Sequence, residues 1–228
     1  MPEPAPNAAK NPLKRLIAAS DNRKSRLHDE LGGFVPLGRL VRNGPRALAT
    51  GLARLTLDRR PERPWISYDA QAVLAQRLNK DSSVLEFGSG MSTIWYARHA
   101  GRVVSIEDKA EWHAIVQERL SALGNVDYKL AKSRTDYVAL APDERFDLIM
   151  IDGSWRDECA RFAVAHLAPG GVIYLDNSDK ALDPTESGDI PAARSMLLEF
   201  AKKKGLPVRE FIDFAPTQLF VQRGMMIG

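Results

Sequence analysis

The chain has 228 residues, 44% of them hydrophobic and 27% charged, with a formal net charge of +3. That size suits one domain plus an extension, and the near balance of acids and bases demands no nucleic-acid partner. The single Cys159 excludes an intrachain disulfide framework, and no apolar run reaches the roughly eighteen residues of a bilayer span.

The opening residues Met1-Pro2-Glu3-Pro4-Ala5-Pro6 lack the basic-then-apolar layout of a secretory signal, so the expected location is cytoplasmic. Residues 1–12 are rich in Pro and Ala and read as a disordered tail. Residues 13–64 form a basic extension. Arg39, Arg42, Arg46, Arg54, Arg59 and Arg60 stand among short apolar clusters such as Leu37-Gly38-Arg39-Leu40-Val41. This pattern predicts broken, partly amphipathic helices packed as a cap with a solvated basic face. The sharper alternative is peripheral contact with an anionic membrane or an acidic substrate. The prolines of Arg60-Pro61-Glu62-Arg63-Pro64 mark the boundary to a main domain over 65–228. A helix is expected over 69–78, capped by Ser67 or Asp69, with Trp65 and Tyr68 as pocket-wall candidates.

From Ser83 onward, strand and helix patterns alternate. Strands are expected at 84–87, 103–107, 126–131, 146–151, 172–175, 208–214 and 218–223. Helices are expected at about 91–100, 110–123, 134–141, 155–167 and 191–204, the fourth stopped by Pro169-Gly170-Gly171. Apolar runs such as Phe146-Asp147-Leu148-Ile149-Met150-Ile151 suit a sheet buried on both faces. The fold class is therefore α/β, a doubly wound, mostly parallel seven-stranded sheet. The last two strands leave no room for a helix and must form an antiparallel hairpin around Ala215-Pro216.

The stretch Val84-Leu85-Glu86-Phe87-Gly88-Ser89-Gly90-Met91-Ser92-Thr93 runs strand, glycine turn, helix. That layout presents backbone N–H groups and a helix N-terminus to a ligand. Some twenty residues on, the second strand ends in Glu107, the spacing at which a carboxylate meets a ribose hydroxyl pair. Together they point to a bound nucleoside.

In this order and spacing, Glu86-x-Gly88-x-Gly90, Glu107, Phe146-Asp147-Leu148-Ile149-Met150-Ile151-Asp152-Gly153 and Pro169-Gly170-Gly171-Val172-Ile173 resemble the class I S-adenosylmethionine-dependent methyltransferases. The likeness covers about residues 65–225. It implies that Gly88, Ser89 and Gly90 hold the methionine part of S-adenosylmethionine, with Glu86 near its cationic end. It implies Glu107 on the ribose, Lys132 and Ser133 beside the adenine, and Asp152 beside the methyl group. Ser92 and Thr93 stand where the fullest motif has its third glycine, as in a Gly-Ser-Gly-x-Ser-Thr subgroup, and their hydroxyls suit a helix cap. An NAD-dependent oxidoreductase on the same fold is the nearest rival, and a non-catalytic cofactor-binding regulator is a third reading.

Asp152 ends the fourth strand and Asp176-Asn177 ends the fifth. On adjacent strands, about 4.8 Å apart, the three would converge at the carboxyl edge of the sheet. One carboxylate could act as general base toward a small-molecule or sugar-like hydroxyl. Alternatively, the set is similar to the ligands of Mg²⁺-dependent O-methyltransferases and could hold that ion, although Ser178-Asp179-Lys180 departs from their pattern. Residues 179–190 read as a lid or a plain surface loop.

Overall fold

A computed structural model describes residues 22–180 and 189–228. The expected tail 1–12 and most of the expected lid at 179–190 lie outside the described residues. The strands are β1 (Ser83–Phe87), β2 (Arg102–Glu107), β3 (Val126–Leu130), β4 (Phe146–Ile151), β5 (Leu167–Leu175), β6 (Val208–Phe214) and β7 (Val221–Ile227). The helices are α1 (Leu37–Leu57), α2 (Tyr68–Arg77), α3 (Met91–His99), α4 (Ala110–Leu120), α5 (Arg134–Tyr137), α6 (Arg156–His166) and α7 (Ile190–Lys204). The seven strands lie in the order β3-β2-β1-β4-β5-β7-β6. All neighbours pair in parallel except at β7, which runs against both β5 and β6.

Side-chain alternation along the strands divides the core between two faces. Leu85, Phe87, Val104, Ile106, Ile149, Ile151, Ile173 and Leu175 point to one, where Ala160 and Ala163 of α6 and Ala193, Leu197 and Ala201 of α7 cover them. Val84, Val103, Leu148, Met150, Val172, Tyr174 and Met226 point to the other. There they meet Ala70 and Leu74 of α2 and Tyr96 and Ala97 of α3. Small residues on the covering helices let them settle close to the sheet. Cys159 is fully buried in the first of these layers.

Three elements differ from the sequence expectation. Strand β5 starts at Leu167, five residues earlier than expected. Pro169-Gly170-Gly171 does not terminate a helix but forms an irregular opening to the strand, with Gly170 at φ +76° and a register shift against β4. Strand β7 occupies 221–227 rather than 218–223. The turn is longer than a tight hairpin and includes Thr217 at φ +64°. The strand then continues through Gly224, which the missing side chain makes possible. A Cβ there would lie 1.8 Å from the Tyr174 hydroxyl.

The third difference is α1. It is one unbroken helix of 21 residues, despite Gly38, Gly44, Pro45 and Gly51. Gly51 packs where a Cβ would come within 2.7 Å of Leu219, so the residue that weakens helix propensity is the one that permits docking. The orientation is also opposite to the expected cap. Arg39 and Arg42 donate to Asp69 at 2.7 and 2.5 Å, and buried Asn43 donates to Asp213 at 2.8 Å. Arg46 and Arg54 lie over the rings of Tyr68 and Trp65. Much of the basic side therefore faces the domain.

Gly224→Ala is expected to destabilise the protein by about 1–3 kcal/mol through overpacking. Adding Tyr174→Phe should recover part of that loss, because the buried Tyr174 hydroxyl makes no hydrogen bond. Urea unfolding of the two single variants and the double variant measures the coupling. Strict additivity would show that the contact is not the cause.

Candidate active site

The strand order reverses between β1 and β4, and the carboxyl ends of a sheet at such a point open a crevice for ligands. Here the crevice is a cavity of about 530 Å³, bordered by the loops after β1, β2 and β4 and by the segment before α2. The first and third loops touch through their glycines. A Cβ on Gly88, which sits at φ +91°, would lie 2.6 Å from the Gly153 backbone. One on Gly153 would lie 2.8 Å from the Gly88 nitrogen and closer still to the Tyr137 hydroxyl. Neither position has room for a side chain.

The alternation that sends Val84 toward α3 sends Glu86 there too. Its carboxylate is fully buried and accepts hydrogen bonds from Ser92 at 2.5 Å, Thr93 at 2.5 Å and Ser105 at 2.7 Å. Thr93 in turn accepts from the Gly90 N–H at 3.1 Å, capping α3. Burial pushes the Glu86 carboxyl up to about 7, against the opposing pull of the three hydroxyls. Glu86, Thr93 and Ser105 thus form a support behind the glycine turn, and neither Glu86 nor Thr93 lines the cavity; Gly88, Ser89, Gly90 and Ser92 do.

Glu107 lines the cavity at the end of β2. Its Oε1 accepts from the Asp108 and Lys109 N–H groups at 3.1 and 3.0 Å. Its Oε2 accepts from the Ser89 N–H at 3.1 Å and the Ser89 hydroxyl at 2.9 Å. The carboxylate is therefore saturated in this structure. The Ser89 hydroxyl also lies 2.6 Å from the Tyr128 hydroxyl, so it has a second partner available. Trp112 donates to the Ser89 carbonyl at 2.9 Å and adds an aromatic wall.

Asp152 opens into the cavity, its side chain 37% exposed. The surrounding protein raises its carboxyl above the ordinary range, while the Arg156 charge opposes that rise. Arg156 lies 3.3 Å from the Asp152 carboxylate and also donates to the backbone carbonyls of Asp152, Gly153 and Asp176. One guanidinium thus joins the loops after β4 and β5. Asp176 and Asn177 do not line the cavity. Asp176 is buried and raised well above the carboxylate range, first by burial and then by the Asp152 charge. Gln222 separates the pair, donating to Asp176 and accepting from Asn177, both at 3.3 Å.

This donor set does not fit Mg²⁺. The Arg156 guanidinium places a fixed positive charge 3.3 Å from the Asp152 carboxylate, and burial biases Asp176 toward its protonated form. Among the described residues, no three His, Cys, Asp or Glu side chains come together as metal ligands. Lys132 and Ser133 also lie off the cavity, with Ser133 capping α5 by accepting from the Asp136 N–H at 3.1 Å. Trp65 lines the cavity, whereas Tyr68 is buried under α1. Trp155 packs on Tyr137 at 5.3 Å and anchors α6.

Sequence reasoning gave no role to Arg63, Met91, Asp108, Lys109, Trp112, Ser154 or Arg156, all at the cavity. Only Asp108 and Lys109, next to Glu107, carried a signal that could have been extended. The N-terminal segment buttresses the far side. Buried Asp29 pairs with Arg223 at 2.7 Å, and the Glu30 N–H donates to Asp179 at 2.9 Å, fixing the start of the loop after β5.

The model of a methyltransferase-domain family matches residues 85–178, the stretch that runs from β1 to β5 and holds most of the residues lining the crevice. The chain has the α/β methyltransferase fold, with a methyltransferase domain matched over that stretch. Among solved structures, this methyltransferase is similar to the O-methyltransferase TomG from Streptomyces achromogenes, involved in tomaymycin synthesis and determined with SAM. The two share 21% identity and a TM-score of 0.57, over 80% of this chain and 88% of that one. It is also similar to cofactor-bound Rv0187 from MTB, with 26% identity and a TM-score of 0.54 over 79% and 86% of the two chains. An O-methyltransferase from Bacillus cereus in complex with SAH gives 20% identity and a TM-score of 0.55 over 80% and 90%. No curated protein matches the chain.

Across the window from the ordinary carboxylate value to about 7, the folded methyltransferase holds a proton on Glu86 that the unfolded chain releases. Glu86 therefore favours folding at low pH, and its contribution is lost as pH rises through that window. Relative to Glu86→Gln, the wild type should lose on the order of 3 kcal/mol of stability between about pH 4.5 and pH 7. Urea unfolding over that range gives the two slopes, and identical slopes would refute the assignment.

Proposed function

We propose that this protein transfers a methyl group from S-adenosylmethionine to a hydroxyl of a small molecule, with residues 65–228 as the catalytic domain and 13–64 as an extension from which Arg63 reaches the cavity. The observation that carries this reading is the shared cavity. The Gly88-Ser89-Gly90 turn and Glu107 lie toward one side, and the half-exposed Asp152 lies beside them at the end of β4. The cavity volume of about 530 Å³ suits a nucleoside cofactor with a small acceptor. Its solved relatives include O-methyltransferases with SAM or SAH bound.

When bound, the cofactor would supply an electrophilic methyl on a sulfonium: an acceptor oxygen attacks that carbon in line, the carbon–sulfur bond breaks, and the neutral thioether leaves as S-adenosylhomocysteine. The protein's part is to position the reactants and manage one proton. Glu107 receives the ribose hydroxyls. Because its oxygens are already saturated, the Ser89 hydroxyl must swing fully to Tyr128 and release Oε2. Asp152, whose carboxyl is raised above the ordinary range by burial, takes the acceptor proton, and Arg156 holds the loop geometry beside it.

The oxidoreductase reading is less well supported. Thr93 occupies the position where that fingerprint has a third glycine for close helix–strand packing, and it is instead fully buried against Glu86.

Titration calorimetry with S-adenosylhomocysteine and with NAD(H) tests the cofactor. The first is expected to bind and the second not. Glu107→Gln should weaken binding about tenfold, or about 1.4 kcal/mol. Tight NAD(H) binding in place of the nucleoside would overturn the reading. Asp152→Asn should leave S-adenosylhomocysteine affinity within about twofold while cutting turnover on a responsive hydroxyl acceptor by about a hundredfold or more. Wild-type turnover in that variant would remove Asp152 as the base.

A further inference from the structure

Eight of the ten large apolar side chains that are exposed among the described residues fall within 31–57: Leu31, Phe34, Leu37, Val41, Leu48, Leu52, Leu55 and Leu57. Five of them, Leu37, Val41, Leu48, Leu52 and Leu55, recur at helical spacing and make one stripe along α1. Val41 is 75% exposed and Leu55 is 74% exposed. The helix is docked by Asn43, Ala47, Gly51 and its arginines, so its leucine stripe is turned away from the domain. A helix that docks through small and polar residues and presents its leucines is the reverse of an ordinary surface helix.

The charge pattern selects the occupant. From Phe34 to Leu57 there is no acidic residue, while Arg39, Arg42, Arg46 and Arg54 are all present. Arg42 and Arg46 are exposed, and Arg59 beyond the C-terminal end is exposed as well. A second copy of this helix would bring like charges together. Anionic headgroups would neutralise them while the leucines entered the acyl boundary. No described helix is long and apolar enough to cross a bilayer, so the contact is a peripheral one.

We propose that the outward stripe of α1 docks this protein on the surface of an anionic lipid bilayer. The helix lies in the interface plane, its leucines reaching past the headgroups, with Arg59 and the solvent-exposed flank of Arg42 meeting their phosphates. The reading is independent of the reaction assigned above.

The test is co-sedimentation of the full chain with phosphatidylglycerol-containing vesicles and with pure phosphatidylcholine vesicles. Binding to the anionic vesicles is expected to exceed binding to the neutral ones about tenfold and to fall with added salt. The triple variant Leu48→Gln, Leu52→Gln, Leu55→Gln should lose that binding while keeping the wild-type melting temperature, because the three side chains are half exposed or more. Absence of vesicle binding, or equal binding to both lipids, overturns the proposal. So does a concentration-dependent dimer in sedimentation velocity that the triple variant dissolves, which would assign the stripe to a second copy. A drop in the variant's melting temperature would overturn it as well, by showing that residues 1–21 of the same chain cover the stripe.

Discussion

The site depends on a steric constraint at the centre of the sheet. The turns that leave β1 and β4 approach until the backbones of Gly88 and Gly153 are in contact, with no space for a methyl group on either side. That approach follows from β1 and β4 being hydrogen-bonded neighbours at the point where the strand order reverses. It brings the Ser89 N–H and Asp152 to the rim of the same cavity. A side chain at either glycine would wedge the turns apart and disperse the two halves of the site.

Around this contact, burial decides which carboxylates can act. Glu86 lies off the cavity, held by hydroxyls with burial raising its carboxyl, and it braces Thr93, which caps α3 behind the glycine turn. Glu107 keeps access to the cavity but is held in orientation by three backbone N–H groups and Ser89. Asp152 and Asp176 sit together, one open and one buried, and the Arg156 guanidinium lies between the loops that carry them. Four acidic groups near one edge thus take four roles, set by exposure and by hydrogen-bond donors rather than by residue type.

The N-terminal extension is tied to this edge by ion pairs as well as by the apolar cluster of Val35, Ala47, Tyr68, Phe214 and Val221. Asp29 pairs with Arg223, Arg23 with Asp179, and Arg39 with Asp69. Buried ion pairs of this kind are poor sources of net stability but demanding in geometry. They hold the start of the loop after β5 and leave the leucines of α1 facing outward.

Much of the architecture was readable from the sequence alone. Local signals determined the alternating strands and helices from Ser83 onward, the glycine turn after β1, Glu107 at the end of β2 and Asp152 at the end of β4, because each rests on periodicity or on backbone chemistry within a few residues. What lay beyond that reach was decided by partners far along the chain. Gly224 reads as a place for a strand to stop until the Tyr174 hydroxyl is seen to fill its missing side chain. Gly51 and Pro45 read as breaks in α1 until Leu219 packs into the gap left by the glycine. Glu86 reads as a cofactor ligand until the pleat turns it toward α3, and Asp176 and Asn177 read as a metal pair until Gln222 bonds both side chains and the Arg156 charge lies beside Asp152. Arg156 itself carries no motif. Its role exists only because the carbonyls it meets come from two different strands, and pairings of that range are made by tertiary packing, which local sequence does not encode.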